Sequence, residues 1–411
     1  MNKRRKLLFI FIGSLVFMTV GFRLFVTYSS QNRMENIEPT PNLPGEKLRS
    51  LPYASWKPID KKEVDITGVT KYDPELACDG VNLFFTDKLA GGFLFDMTGR
   101  ILHRFTDKRE RRAQWKLMEP YLNDDFLVLI DNYAMFRIDW DSNVKWIQAI
   151  PFHHDIAVGD NGDIYSIANL KVMLPVYCPN EPIYDNILLI LTGQGEVKNG
   201  ISFANMVIQH KDLFHAAMHP PKREYCYDKD AWDVFHINTV EVIDRDVYDG
   251  DKKLFGKGDV LFCIRHLNVI GAVNIEKKDI IWYWGLGELE YPHHPSLLDN
   301  GNILLFDNGN QRRYSRVIEV DPRSGEIVWE YKGVPPKSFF SFDRGSAERL
   351  PNGNTLIADS SQGRIIEVTK NGEVVWEFYN PVIDKKENKR AMIYRMVRFT
   401  DPNRFPRLKR R

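Results

Sequence analysis

Histidines stand in adjacent pairs at two places in this chain, His153-His154 and His293-His294, and both pairs lie just ahead of an Asn-Gly turn. A neutral imidazole near pH 7 is a nucleophile, a base or a hydrogen-bond donor. His154 lies seven residues before Asn161 of DNGDIY, and His293 lies seven residues before Asn300 of DNGNILLF, so both should start equivalent strands. FHINTVEVI adds His236 and Asn238, and IRHLNVIG adds Arg265 and Asn268 at the exit of a strand. Imidazoles, amides and a guanidinium gathered at one place suit an anionic oxyacid, because charge-assisted donors hold its oxygens while one imidazole attacks. On that reading His293, His294, His154, His236 and Arg265 are the catalytic candidates, with Asn238, Asn268 and His153 in contact with substrate. The competing reading makes His153 and His266 hydrogen-bonded structural residues and Arg265 half of an ion pair.

The elements that must position these residues repeat. VIEVDPRSGEIVWEY (317–331) returns as IIEVTKNGEVVWEF (365–378), and looser copies are FLFDMTGRILHRF, MFRIDWDSNVKWI, ILLILTGQGEV and IGAVNIEKKDIIWYW. Most are preceded by a further turn and strand: DDFLVLID, NGDIYSIAN, KGDVLFCIR, NGNILLFDNGN and NGNTLIADSS. Alternating apolar runs bounded by Asn-Gly and Asp-Gly are hairpin chemistry, since these dipeptides accept the positive φ of tight turns. Six hairpins, each extended to about four strands, predict an all-β fold, a six-bladed β-propeller over 67–399. A β-sandwich or two small β domains is the alternative. Equivalent strand starts in a propeller converge on one mouth of its central channel, which would bring the polar residues together.

The rest of the chain bounds the setting. In 411 residues, 43% hydrophobic and 12% aromatic are ample for one large core, and a net charge of +1 argues against nucleic acid as a partner. MNKRRK (1–6) reads as a cytoplasmic N-terminus, 7–26 as a transmembrane signal anchor, 27–66 as a Pro-rich linker and 400–411 as a basic tail. The propeller would then sit in the periplasm or outside the cell, tied to the cell membrane. Cys78, Cys178, Cys226 and Cys263 leave one or two disulfides open, with Cys178 and Cys226 the first pair to test. The interval 197–270 interrupts the repeat and predicts a loop or short helix over one face. His210, His215 and His219 within it match no standard ligand spacing, so neither metal nor cofactor is expected.

The chain resembles the bacterial arylsulfotransferase family of six-bladed propellers, through GVTKYDPELACDGVNLFFT, FHHDIAVGDNGDIY, FHINTVEVI, CIRHLNVIGAVN, WGLGELEYPHHPSLLDNGNILLFDNGNQRRYSRVIEVDP and GSAERLPNGNTLIADSSQGRIIEV. The resemblance implies transfer of a sulfuryl group from an aryl sulfate donor to a phenolic or other hydroxyl acceptor through a sulfated histidine, with no nucleotide. It implies that His293 is the nucleophile, His154 and His236 supporting histidines, and that Asn238 and Arg265 complete the set. His294 departs from the family, which tends to carry Asp there; substitute nucleophile, proton relay and bystander all stay open for it. Nothing in these residues matches the small N-terminal β domain or the close cysteine pair of well-studied members, so dimerisation and redox maturation of that type are not expected. A noncatalytic propeller scaffold for protein or glycan partners is the other function class.

Overall fold

A computed structural model describes residues 56–109, 113–219, 227–228 and 231–410. Each repeated hairpin of the sequence is present, and each is the outer half of an antiparallel meander. The first sheet runs Val397–Phe399, Val81–Phe85, Gly91–Phe95, Ile101–Thr106, so a C-terminal strand completes a sheet begun near the N-terminus. Leu117–Pro120 to Val144–Gln148 form the second and Phe152–Val158 to Val197–Ser202 the third. Ile237–Val242 to Asp279–Trp284 form the fourth and His293–Leu297 to Ile327–Tyr331 the fifth. Ser346–Arg349 to Val374–Tyr379 form the last, with Gly68–Tyr72 added at its outer edge.

The apolar face of each sheet packs on the next, and the cores close a circle. One cluster joins Phe85 of the first sheet, Phe126 of the second and Phe152 of the third. Others join Ile167 to Phe262, Cys263 to Leu305, and Phe306 to Ile357. The last joins Ile365 and Trp376 back to Phe84 of the first sheet. A ring of meanders with shared cores between neighbours is propeller-like architecture, and it leaves only short edges.

A buried ion pair pins the closure. Arg398 on the C-terminal strand pairs with Glu367 of the last sheet, both side chains 0% exposed, and its guanidinium lies 4.6 Å over the Trp376 ring. Removing Glu367 alone would strand that charge and cost about 3–5 kcal/mol. Trp376 of the second Val-Trp-Glu copy is fully buried and donates Nε1 to the Met97 carbonyl. Trp329 of the first copy stays at the surface, donating to the Lys370 carbonyl.

The interruption after the third sheet carries two short helices, Phe203–Val207, packed on that sheet, and Lys211–Met218, packed on the first helix and on the turn Arg265–Leu267. The last part of the expected linker is structured: Trp56–Pro58 pairs with Lys389–Ala391. Phe405 of the basic tail is buried against Trp140 and Phe126. Cys78, Cys178 and Cys263 are buried free thiols, and Cys226 lies outside the described residues. The anchor expected at 7–26 also lies outside them, and no helix among the described residues is long and apolar enough to cross a membrane. On that finding the single-pass membrane localisation is withdrawn.

Candidate active site

The first strand of each meander starts, and the second strand ends, at the same side of the ring. His153 and His154 begin Phe152–Val158, His293 and His294 begin His293–Leu297, and His236 directly precedes Ile237–Val242. Arg265 and His266 follow Val260–Ile264 in a 3-10 turn that ends at Asn268, an asparagine in the left-handed region. Each of these three first strands bulges near its start. His154 (φ 60°), His236 (φ 52°), Tyr291 (φ 57°) and His294 (φ 49°) all have positive φ. Such backbone costs about 1–3 kcal/mol per residue and persists where the surroundings over-determine it.

The bulges change the expected register. His153 pairs with Ile167 and His293 with Phe306, corresponding places on their second strands, while His154 and His294 fall in the bulges. The strand carrying His154 bulges by one residue more, which makes the count of seven misleading. By pairing, His293 matches His153.

His153, His154 and His236 face one another, all buried. The Nε2 atoms of His154 and His236 are 2.8 Å apart. His236 Nδ1 donates to the Asp233 carboxylate, and His153 Nδ1 donates to Asp131 Oδ1 at 3.2 Å. The Tyr394 hydroxyl is 3.3 Å from His154 Nδ1. One assignment satisfies all of these contacts: Tyr394 donates to His154, and His154 donates through Nε2 to His236. His266 stacks 4.8 Å from His236 and donates Nδ1 to the Asp233 carbonyl at 2.6 Å.

His293 is held differently. Its Nδ1 lies 2.7 Å from Asn308 Oδ1 and 3.1 Å from the Tyr291 carbonyl. Asn308 must present its oxygen, because its amide NH₂ is spent on the Ser341 and Arg344 carbonyls at 2.6 and 2.9 Å. Two acceptors at Nδ1 fix the proton there, so Nε2 carries the lone pair. That Nε2 is buried and without a hydrogen-bond partner among the described residues, as are Nε2 of His153 and His266 and Nε of Arg265. Arg265 lies 4.6 Å over the Tyr291 ring, and Tyr291 immediately precedes Pro292-His293. His294 has no such bare atom: Nδ1 meets the Ala347 carbonyl at 3.2 Å and Nε2 meets Arg395 Nη1 at 3.1 Å.

Burial makes these imidazoles neutral. It pushes His293 and His154 well below their ordinary range, with Arg265 adding to the effect on His293 and His153 to that on His154. His266 and His294 are pushed down to about 3, burial leading in both. Burial alone would raise the Asp233 and Asp131 carboxyls, but His236 beside the first and Lys116 and His153 beside the second hold them below the usual carboxylate range. The site therefore pairs neutral nucleophile-type nitrogens with one arginine that no carboxylate pairs among the described residues.

The asparagines do positional work. Asn238 Nδ2 donates to the Pro292 carbonyl at 2.8 Å, and Asn268 Oδ1 accepts from Tyr291 N–H at 2.8 Å, so both set the approach to His293. Sequence reasoning missed Asn308, Asp131, Asp233 and Tyr394, and named His266 only as a hydrogen-bonded structural residue. Asp131 and Asn308 close the second strands FLVLI and ILLFD as Arg265 closes VLFCI, so reading every second-strand exit would have found both. Tyr394 has no such signal. His210, with Nε2 on Asp279, and His215 and His219, stacked on each other, lie on the inserted segment.

Residues 131–381 match the family model described as Arylsulfotransferase (ASST). No curated protein matches the chain. Among solved structures, it is similar to a protein of unknown function from Bacteroides caccae at 12% identity, covering 79% of this chain and 99% of that one with a TM-score of 0.49. A streptogramin B lyase matches at 13% identity over 82% and 87% with a TM-score of 0.45. The WD40 β-propeller domain of Doa1 matches at 9% over 81% and 92% with a TM-score of 0.44.

Proposed function

The chain belongs to the arylsulfotransferase family, and on that premise we propose that it moves a sulfuryl group from an aryl sulfate to a phenolic or other hydroxyl acceptor through a sulfated His293, on a ring of six blades. The orphaned Nε2 of His293, opposite an Nδ1–H locked by Asn308, carries this reading. In the first displacement the Nε2 lone pair bonds to sulfur as the bond from sulfur to the aryl oxygen breaks, and the phenolate leaves. The imidazole becomes cationic, and its Nδ1–H stays on two oxygens that favour that charge. Arg265 holds the sulfuryl oxygens. In the second displacement the acceptor oxygen attacks sulfur, the nitrogen–sulfur bond breaks with its electron pair returning to Nε2 of His293, and the acceptor proton leaves to water. His294, with both nitrogens engaged, is a positioning residue for Arg395.

Incubation with a chromogenic phenyl sulfate and a phenol tests this. Wild type and His294→Ala should turn over with ping-pong kinetics and carry an acid-labile adduct of about 80 Da, the mass of one sulfuryl group on histidine. His293→Ala should do neither. Turnover by His293→Ala, or none by wild type, sinks the proposal.

A further inference from the structure

Arg265 is 6% exposed, and no carboxylate pairs with it among the described residues. A guanidinium is planar with its five N–H groups in that plane, so a carboxylate meets it edge-on while an aromatic ring meets its face. Elsewhere in this molecule the two come together. Arg137 over Tyr121, Arg349 over Trp329 and Arg398 over Trp376 stand 4.5, 4.6 and 4.6 Å from a ring, and each also pairs with a carboxylate, Asp125, Glu319 and Glu367 respectively. Arg265 has the ring alone, Tyr291 at 4.6 Å. Tyr291 is itself unusual for its place: it is buried, has a φ of 57° and immediately precedes Pro292. Positive φ is the region of glycine and asparagine, and a residue before proline belongs in extended backbone, so a tyrosine held here is over-determined by its surroundings. The turned backbone sends its N–H to Asn268 Oδ1 at 2.8 Å, and Asn268 ends the turn that carries Arg265. Its carbonyl meets His293 Nδ1 at 3.1 Å. One residue therefore touches both the nucleophile and the arginine.

We propose that Tyr291 is a positioning residue of the transfer: its ring holds the plane of Arg265 where other stacked arginines of the chain also carry a carboxylate, so the guanidinium is fixed without being neutralised. This role presupposes sulfuryl transfer at His293. A carboxylate at that place would occupy two N–H groups and cancel the charge. A ring face does neither, because it attracts the cation through its quadrupole and leaves the edge donors, the bare Nε among them, for the sulfuryl oxygens. The backbone of the same residue keeps the guanidinium and the imidazole in a fixed relation, since its N–H is tied to the arginine's turn and its carbonyl to the Nδ1 proton of His293.

The test measures steady-state turnover of a chromogenic phenyl sulfate with a phenol, and the rate at which the protein gains one sulfuryl group in a single turnover. Tyr291→Phe keeps the ring and should stay within about threefold of wild type, whereas Tyr291→Leu keeps apolar bulk without a π face and should lower both rates about 10–30-fold, the ratio that one desolvated cation–π contact corresponds to. In the Arg265→Gln background there is no charge left to hold, so adding Tyr291→Leu should cost less than about threefold more. Should Tyr291→Leu not melt cooperatively, phenylalanines bearing one, two and three ring fluorines at position 291 decide. Fluorine drains the ring face at nearly constant shape, and log kcat should fall stepwise along the series. A flat fluorine series, full activity in Tyr291→Leu, or its full loss repeated on top of Arg265→Gln overturns the role and leaves sulfuryl transfer standing. No turnover by wild type overturns both.

Discussion

The mouth of the ring has two unlike halves. On the side of the third, fourth and fifth sheets stand His153, His154, His236, His266 and His293, all buried, with three bare Nε2 atoms. On the side of the last, first and second sheets stand Arg344, Asp343, Asp87 and Lys116, occupying the corresponding strand starts and exits. There Arg344 lies 3.4 Å from Asp87 and 3.6 Å from Asp343, and Lys116 lies 3.9 Å from Asp131. Opposite charges near one another cancel, and what is cancelled has little left to give a ligand. Tyr394 joins the halves, with its hydroxyl on His154 and its ring 5.1 Å under Lys116. The same backbone positions thus yield a reactive half, where desolvated lone pairs are left unpaired, and a structural half, where charges are spent on each other.

The sharpest way to break this contrast is to let the reactive half lose its tautomer. Asn308→Leu removes the nearer of the two oxygens that fix the His293 proton on Nδ1, leaving only the Tyr291 carbonyl at 3.1 Å. With the hold on the Nδ1 proton weakened to one longer contact, kcat should fall about 10²–10⁴-fold while KM changes little, up to the loss seen when an orienting carboxylate is replaced by an amide. The Ser341 and Arg344 carbonyls each lose one donor as well, keeping only the Ser315 and Ser341 hydroxyls, so a melt should show about 1–3 kcal/mol of destabilisation. A variant that is destabilised yet fully active would show that the amide merely fills space. Next in size, Arg265→Gln keeps a donor but removes the charge. It should cost about 10²–10³-fold in kcat, the usual loss for one oxyanion donor, and an unchanged rate would move oxyanion binding elsewhere.

How much of this was legible follows from periodicity. Hairpins at 317–331 and 365–378, and their looser copies, were visible because a strand's alternation and its Asn-Gly or Asp-Gly turn are local. His293, His154, His236 and Arg265 were visible because strand starts and exits of a ring must share a mouth. The register between His154 and His293 was misread because a bulge inserts a residue without leaving a composition signal. Tyr394 and Arg395 were out of reach for a different reason. They enter through the strand that closes the ring from the C-terminus, and closure is a long-range fact that no local pattern announces.

Buried imidazoles and buried carboxylates should also differ in acid. His266 is held at about 3 against an ordinary 6.5, so between those values the unfolded chain binds a proton that the folded chain refuses. Its contribution to stability is complete above about pH 6.5 and is lost as pH falls toward 3. His294 acts in the same direction. Buried carboxylates on the first strands act oppositely: Glu119 and Glu348 are raised by burial to about 7 and Glu241 to about 8, so their contribution is present below about 4.5 and fades as pH rises through those values. Melting temperatures across pH 4–9 should therefore show a shallower acid limb in His266→Gln and a shallower alkaline limb in Glu241→Gln. If neither limb moves, these groups are hydrated in solution.

The smallest effect is expected on the structural half, and its smallness is the point. Lys116→Met keeps an unbranched chain of similar length over the Tyr394 ring and deletes the charge. Removing one partner of a tight buried pair would cost about 3–5 kcal/mol, but this pair is long at 3.9 Å and Asp131 keeps His153 as a donor. Burial has already lowered the lysine's hold on its proton, so part of the charge's cost disappears with it. Stability should move by no more than about 1 kcal/mol and kcat by less than about threefold. A kinetic loss comparable to that of Arg265→Gln, with an unchanged melt, would mean that Lys116 reaches the transferring group, and the two halves would have to be read as one site.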